Sequence, residues 1–546
     1  MFPAGIFRGR GNDRCPEAFP ATRGAQPGES GDWVRSVFTS PRIFTSLLIV
    51  EVCFLYLLRW PLLYNFNNFA FWDSGAYLLT HYLLQQGHHP FTYFGWQYGL
   101  LPLLIQELGF HLFGASPASF LCLSVPCVMT VAVAIGGIAL LENATAGRVL
   151  VMLSLPLMVA FEPDMPHSLE PALLSLGLLS QARAQHGRAL AFATAACFTK
   201  PSMGYLYGLI LLACVFCYSY RRVMPVDRRE QAGAVEPTEW EWPSATGPVG
   251  TLVPAVCTGL GLTLLLSMLF GWQAVLRSLL PLSGARAYRV LHYGWRGIAQ
   301  GLFYFPGAKI GYYVGTPVIF WGCGTVYLIV AAFLAARASA RNHFRATQNY
   351  EIVLTCAGLH LGFIALLYGS PASWTYYACV LVAGIIATEV WPVAVAAISG
   401  ICVLAALANY SGIRSALSAW GTTEATASTA GLFAVSAEAA EWSYVASLAK
   451  RESLAIFTNF GEAQLLFPWL GEPTGAFMVP GIATDGEIRR ENQELRSADA
   501  VVVPTIPGLG NPIQDWPGTE FNNVLENTAL VFKGTYFEVY ERRALY

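Results

Sequence analysis

Between Trp60 and Gln106 the one side chain that carries a full charge at neutral pH is Asp73, set in the run Phe69-Ala-Phe-Trp-Asp73-Ser-Gly-Ala-Tyr77. His81, His88, His89, Pro90, Tyr93, Trp96, Gln97 and Tyr98 follow it. A lone carboxylate among aromatic rings has the chemistry of a desolvated general base: burial strengthens its hold on a proton, and a neighbouring donor or metal keeps it ionised and oriented. Asp73 also precedes the helical pattern Tyr77, Leu78, Tyr82, Leu83, and starting that helix is an equally good use for it. Two further turns carry ionisable groups. Glu162-Pro-Asp164-Met-Pro-His167 offers two carboxylates and an imidazole, and Thr199-Lys200-Pro201-Ser202 offers an ammonium. Asp73, Glu162, Asp164 and His167 have the donor types of a divalent cation site, although helix caps and end-of-span anchors use the same residues.

A second anomaly is segment 271–313, which holds Arg277, Arg286, Arg289, Arg296 and Lys309 and no acid. Arginine forks match phosphate oxygens in pairs, so a lipid-linked phosphate would suit this segment. Tyr288, His292, Tyr293, Trp295, Phe303 and Tyr304 are interleaved with the cations, as an interfacial stretch flanking a lipid tail requires. Contact with anionic lipid headgroups accounts for the same charges.

The elements that position these groups are set by composition. Of 546 residues, 55% are hydrophobic and 12% charged, against about 25% charged in a soluble globular chain. That excess is too large for one compact core and predicts a membrane protein, and it excludes disorder, collagen and coiled coil as readings of the whole chain. A net charge of -2 gives no basic field for nucleic acid. Apart from Cys15, the twelve cysteines sit in apolar runs and read as small buried hydrophobes, without zinc-ligand spacing. The polar start, rich in Gly, Pro and Arg, has no early apolar core, so no cleavable signal peptide is expected.

With a ruler of about 20 apolar residues per span, windows fall at 43–63, 119–141, 149–161, 167–182, 188–200, 203–219, 250–270, 314–336, 352–368, 374–390 and 391–408. The shorter run 98–114, interrupted by Glu107 and His111, reads as an interfacial or half-inserted helix. Arg clusters before the first window and at Arg183 and Arg188, Arg221 to Arg229, and Arg337 to Arg345 all fall on one side if there are eleven spans, which puts the N-terminus inside. The expected fold class is therefore mainly α: a polytopic transmembrane bundle of about eleven spans with a small C-terminal exported α/β domain. Residues 1–42 read as a disordered cytoplasmic tail, 43–408 as the transmembrane domain with outside loops 64–118 and 271–313, and 409–546 as the exported domain. In that last stretch β-like runs recur at Leu454 to Thr458, Ala476 to Pro480, Ala500 to Pro504, Ala529 to Phe532 and Tyr536 to Tyr540, with a helical pattern at Thr484 to Ser497. The chain is expected in the plasma (inner) membrane, with its C-terminal domain extracytoplasmic.

The run Asp73-Ser-Gly-Ala-Tyr77, then Gln86-Gly87-His-His-Pro90-Phe91-Thr-Tyr93, Gln97-Tyr98-Gly99-Leu100-Leu101-Pro102 and Leu112-Phe113-Gly114 resembles the GT-C-type membrane glycosyltransferases, including the protein O-mannosyltransferases and lipid A aminoarabinose transferases. The acid Asp164, the turn Thr199-Lys200-Pro201 and a C-terminal Phe537-Glu-Val-Tyr540-Glu-Arg run agree with it. The resemblance extends over most of the chain in layout and is specific in motif over about 70–202. It implies a polyprenyl-phosphate sugar as donor, a lipid, glycan or protein as acceptor, and Asp73 as the catalytic aspartate. It also implies Asp164 as the acid of the second outside turn and Lys200 as a lysine near the lipid phosphate. Many members carry a second acid beside the aspartate, where this chain has Ser74 and Gly75, so use of a divalent cation stays open.

In this reading Lys200, Arg286, Arg289, Arg296 and Lys309 hold the donor phosphate, Glu162 and His167 stand by Asp164, and Trp72, Tyr77, Tyr93, Trp96 and Tyr98 line the sugar. Interface anchoring is the competing use of those aromatic residues. Three alternatives remain open: a transporter or flippase for lipid-linked saccharides, a polysaccharide polymerase or ligase that relies on its late basic loop, and a non-catalytic relative acting through its C-terminal domain.

Overall fold

The computed structural model describes residues 40–63, 73–115, 117–141, 145–158, 165–223, 247–280, 325–333, 347–366, 377–388, 424–425, 433–434, 440–441, 444–445, 447–448, 454–456, 483–504, 520–535 and 537–543. They are mainly helical. Ten helices come first: α1 (Pro41–Leu63), α2 (Asp73–Gln85), α3 (Leu100–Phe113), α4 (Pro117–Leu141), α5 (Thr145–Met158), α6 (Met165–Ala182), α7 (His186–Cys197), α8 (Pro201–Val223), α9 (Gly247–Phe270) and α10 (Trp272–Leu279). Helical residues 325–333 follow, then α11 (Thr347–Leu366) and α12 (Ala378–Ile386). Proline opens α1, α4 and α8, at the position where a missing N–H costs no intrahelical bond.

Helix is present within ten of the eleven apolar windows, and 391–408 lies outside the described residues. Among the described residues, two helices are long and apolar enough to cross a membrane by length and composition, Ser119–Leu141 and Val249–Phe270, while α3, α5, α8 and α11 contain shorter apolar stretches. In the window 374–390, α12 is only nine residues long and every one of them is buried, so this element is a core helix among its neighbours.

The bundle is apolar outside and partly polar inside. Val249, Val253, Val256, Leu260, Leu264 and Met268 of α9 are exposed, Met268 to 84%, as are Val50, Phe54 and Leu57 of α1 and Leu209 and Phe216 of α8. Buried within are Gln106, Ser119, Ser124, Ser154, Glu170, Gln181, Glu351, Thr355 and His360. Water would penalise so much exposed hydrocarbon, whereas lipid accepts it and drives polar groups to pair inside. One such network ties α6 to α11: Gln181 Nε2 donates to Glu351 Oε1 at 2.8 Å and to Thr355 Oγ1 at 2.9 Å, and His186 Nε2 lies 3.0 Å from Glu351 Oε1. Helix α6 packs against α4 and α7, and α7 also against α8 and α9, which makes α6 and α7 the centre of the bundle.

The C-terminal part contains β1 (Glu424–Ala425) paired with β2 (Phe433–Ala434), and a four-stranded sheet in the order β3-β4-β6-β5. Its strands are β3 (Leu454–Ile456), β4 (Ala500–Pro504), β5 (Thr528–Lys533) and β6 (Phe537–Arg542), with α13 (Asp485–Ser497) and α14 (Phe521–Glu526) between them. β3 runs parallel to β4, and β4 and β5 run antiparallel to β6. Strand alternation sends Val501 and Val503 toward Leu495 of α13, while Ala500 and Val502 are buried on the other face with Phe537 and Val539. The run Ala476 to Pro480 lies outside the described residues.

Candidate functional site

The segment after α2 is a compact double turn. Gly87 takes φ +80 and Phe91 takes φ 62, Phe91 N–H donates to Phe94 O at 2.7 Å, and Tyr93 N–H donates to His89 O at 3.0 Å. Arg277 of α10 fixes the outer turn by donating to Phe91 O at 2.5 Å, so one cation of the basic segment serves as a structural donor to the first loop. The chain then turns inward. Trp96 is buried, donates through Nε1 to Gly99 O at 3.2 Å, and meets Tyr77 of α2 edge-to-face at 4.9 Å between ring centroids. Tyr98 continues the row, 6.0 Å from Trp96 and 5.6 Å from His167 on α6, both edge-to-face.

Lys200 approaches this row from the α7–α8 turn. Gly99 N–H donates to Thr199 O at 2.8 Å and Leu101 N–H to Phe198 O at 3.0 Å, so the turn and the loop run backbone to backbone. A Cβ on Gly99 would stand 1.9 Å from Phe198 O, and one on Gly204 would stand 2.3 Å from Cys197 N. Gly99 thus lets the loop approach the turn, and Gly204 lets α8 approach the end of α7. The ammonium lies 5.3 Å from the centre of the Tyr98 ring, a cation–π position, and 3.9 Å from Glu170 Oε2. Glu170 is wholly buried on α6, and its Oε2 also accepts a hydrogen bond from the Tyr377 hydroxyl, just before α12.

Gly99→Ala should force apart the loop and the Lys200 turn, since the blocking atom is a backbone carbonyl. The expected loss is about 2–4 kcal/mol of stability, from overpacking plus weakening of the two backbone bonds. Thermal unfolding in detergent measures it, and an unchanged midpoint would contradict the close approach.

The structure brings together Tyr77, Trp96, Tyr98, His167 and Lys200. Tyr93 is placed elsewhere: its ring stacks on His88 at 3.5 Å and under the Arg490 guanidinium at 3.9 Å, away from the Trp96–Tyr98 row. Asp73 is the first residue of α2, one turn before Tyr77, and its side chain lies outside the described residues. Trp72, Glu162, Asp164, Arg286, Arg289, Arg296 and Lys309 also lie outside them. Among the described residues, no three His, Cys, Asp or Glu side chains are grouped to hold a metal ion. Sequence reasoning missed Glu170 and Tyr377. For Glu170 a signal existed, an acid inside the apolar window 167–182.

The C-terminal sheet reaches the same loop through α13. Thr484 and Glu487 form a capping box at its start, and Glu487 Oε2 accepts from Thr484 N–H at 2.7 Å and from Gly95 N–H of the loop at 2.7 Å. Arg490 Nη2 donates to Tyr93 O at 2.8 Å. Burial pushes the Glu487 carboxyl up to about 7, against the opposing pull of hydrogen bonds from Thr484 and Gly95 and of the Arg490 charge. Glu494 on the same helix is also pushed up to about 7 by burial.

An acid with a raised pKa favours the docked state when protonated. Docking is therefore strongest below about 4.5 and weakens as pH rises through about 7. Glu487→Gln, which mimics the neutral form, should remove most of that dependence. Hydrogen-exchange protection of the Tyr93 to Gly95 amides, followed from pH 4 to pH 8, measures it, and equal pH slopes in both proteins would contradict the assignment.

No protein-family model matches the chain, and no curated protein does. Among solved structures, the chain is similar to the crystal structure of ArnT from Cupriavidus metallidurans bound to undecaprenyl phosphate, at 12% identity and a TM-score of 0.46, covering 92% of this chain and 99% of that one.

Proposed function

We propose that the chain is a multi-pass membrane glycosyltransferase that takes a sugar from a polyprenyl-phosphate donor and passes it to a lipid, glycan or protein acceptor at the outer face of the plasma membrane. The observation that carries this reading is the placement of Lys200: an ammonium at the edge of a lipid-facing bundle, tied by backbone bonds to the loop of Trp96 and Tyr98. A phosphate needs such a cation, and a sugar needs such aromatic faces. The motif resemblance of residues 70–202 supports the same assignment. About eleven spans, a cytoplasmic N-terminus and an exported C-terminal module belong to the proposal.

In this reading the donor phosphate sits at Lys200, with Arg286, Arg289, Arg296 and Lys309 as further cations. Asp73 removes the proton from an acceptor hydroxyl whose oxygen attacks the anomeric carbon. The bond from that carbon to the phosphate oxygen breaks with inversion, and the departing phosphate keeps the electron pair, stabilised by the cations. Asp164 belongs to the acceptor side with Glu162 and His167, while Trp72, Tyr77, Trp96 and Tyr98 shield the sugar from water. Tyr93 shares its residue type with these aromatics but belongs to the module interface, against Arg490.

The test is transfer of labelled sugar from a polyprenyl-phosphate donor by membranes carrying wild-type, Asp73→Asn or Arg289→Ala protein. Loss of transfer in Asp73→Asn is expected. Full transfer by Asp73→Asn with loss in Arg289→Ala would favour a polymerase or ligase instead.

A further inference from the structure

Glu170 has no part in the scheme above, yet it lies wholly buried beside Lys200. Its carboxyl is sealed from solvent, with Oε2 shared by the Tyr377 hydroxyl and the Lys200 ammonium. Oε1 is buried with no hydrogen-bond partner. Lys200 is the member of the pair that reaches outward, its side chain 16% exposed against 0% for Glu170. An anion arriving from the membrane therefore meets the ammonium and not the carboxylate.

Such an anion changes the charge count of the pocket. Before binding, among the described residues, the ammonium faces the Glu170 carboxyl. After binding, the ammonium faces the anion of the ligand as well, beside the Tyr98 ring, with Glu170 held by Tyr377 and sealed from bulk water. Like charges sharing one cation at this range disfavour the charged form of whichever group can take a proton. A phosphodiester cannot take one near neutrality. Glu170 can, and its unpartnered Oε1 offers a lone pair without giving up the Tyr377 bond to Oε2.

We infer that Glu170 is the resting counter-ion of Lys200, exchanged for the donor phosphate, and that binding of an anionic lipid at Lys200 is coupled to uptake of one proton by Glu170 at Oε1. The inference rests on the reading of Lys200 as the phosphate site and adds a positioning residue to it. In the resting state Glu170 holds the ammonium at the Tyr98 ring, and in the bound state its neutral form leaves the full charge of Lys200 to the ligand. Other ionisable groups that face Glu170 among the described residues are Tyr377, Cys197 and Cys379, with His167 on its own helix. A cysteine or tyrosine is already protonated near neutrality and has no proton to gain.

The experiment is calorimetric titration of the purified full-length protein in detergent with a polyprenyl methyl phosphate, a phosphodiester whose single charge does not titrate between pH 5 and 8. Repeating it in two buffers of different ionisation enthalpy gives the protons taken up per ligand, and infrared difference spectra identify the group. Wild-type protein should take up protons on binding, most nearly one per ligand at pH 8, with a new neutral-carboxyl band, and Glu170→Gln should bind without either. Binding by wild-type protein with no proton uptake, or with uptake unaccompanied by that band, would overturn the inference while leaving the phosphate site intact. Absence of binding would overturn both together. The wild-type measurement decides the matter even if Glu170→Gln fails to fold.

Discussion

Replacement of Lys200 by Met is expected to weaken binding of a polyprenyl-phosphate donor by about 10²-fold, roughly 3 kcal/mol, the usual scale for removing one partner of a close charge pair. The effect has two sources. The phosphate loses its cation, and Glu170 loses the ammonium that faces it in a sealed site. Breaking a buried pair from one side costs about 3–5 kcal/mol, less whatever the carboxyl recovers by taking a proton. The two contributions separate in the double variant Lys200→Met with Glu170→Gln. Stability should return toward the wild-type value because no buried charge remains, while donor binding stays weak because no cation has returned. Unfolding midpoints and titration with labelled donor check both halves. Wild-type donor affinity in Lys200→Met would remove Lys200 from the site.

The fate of individual residues shows what sequence carries. Helix positions were legible because apolar length is a local property: α1, α4, α8 and α9 overlie their windows within a few residues. Lys200, Tyr98 and His167 were legible as unusual types at boundaries, where a charge or an imidazole needs a reason. Glu170 was passed over because one acid hardly changes the average of an apolar window, although its cost in a bundle interior is large. Tyr377 stands where the chain enters a wholly buried helix, and nothing local distinguishes that helix from a lipid-facing one. Tyr93 was grouped with its neighbours in sequence, whereas its partner Arg490 lies 397 residues away. Contacts at that separation leave no periodic trace in either segment. The same holds for Gly99, whose significance rests on a carbonyl of residue 198.

Helix α13, which supplies Arg490 and Glu487, also bears on how the loop works. Glu487 of its capping box also accepts from the Gly95 amide, two residues ahead of Gln97 and three ahead of Tyr98. The row Tyr77, Trp96, Tyr98 is thus braced by α2 on one side, by the Lys200 turn on another, and by the C-terminal module at its outer end. Fixing a loop from several elements lets it hold aromatic faces at defined positions, as the proposed donor site requires.

Asp73 is the residue on which the proposed chemistry depends. It opens α2 one turn before Tyr77, so the helix that sets the aromatic row also sets the aspartate. Loss of a general base typically lowers turnover by about 10²–10⁴-fold, and the isosteric Asp73→Asn keeps size and shape while removing proton acceptance. Binding of the donor should change little, since its phosphate is held by cations elsewhere. The deciding measurement is single-turnover transfer of labelled sugar from a polyprenyl-phosphate donor by wild-type and Asp73→Asn protein, with the anomeric configuration of the product determined. A transferred sugar of inverted configuration is expected for wild type, and a loss of about 10²-fold or more for Asp73→Asn at unchanged donor binding. Transfer at the wild-type rate by Asp73→Asn, or a product of retained configuration, would contradict the proposed chemistry.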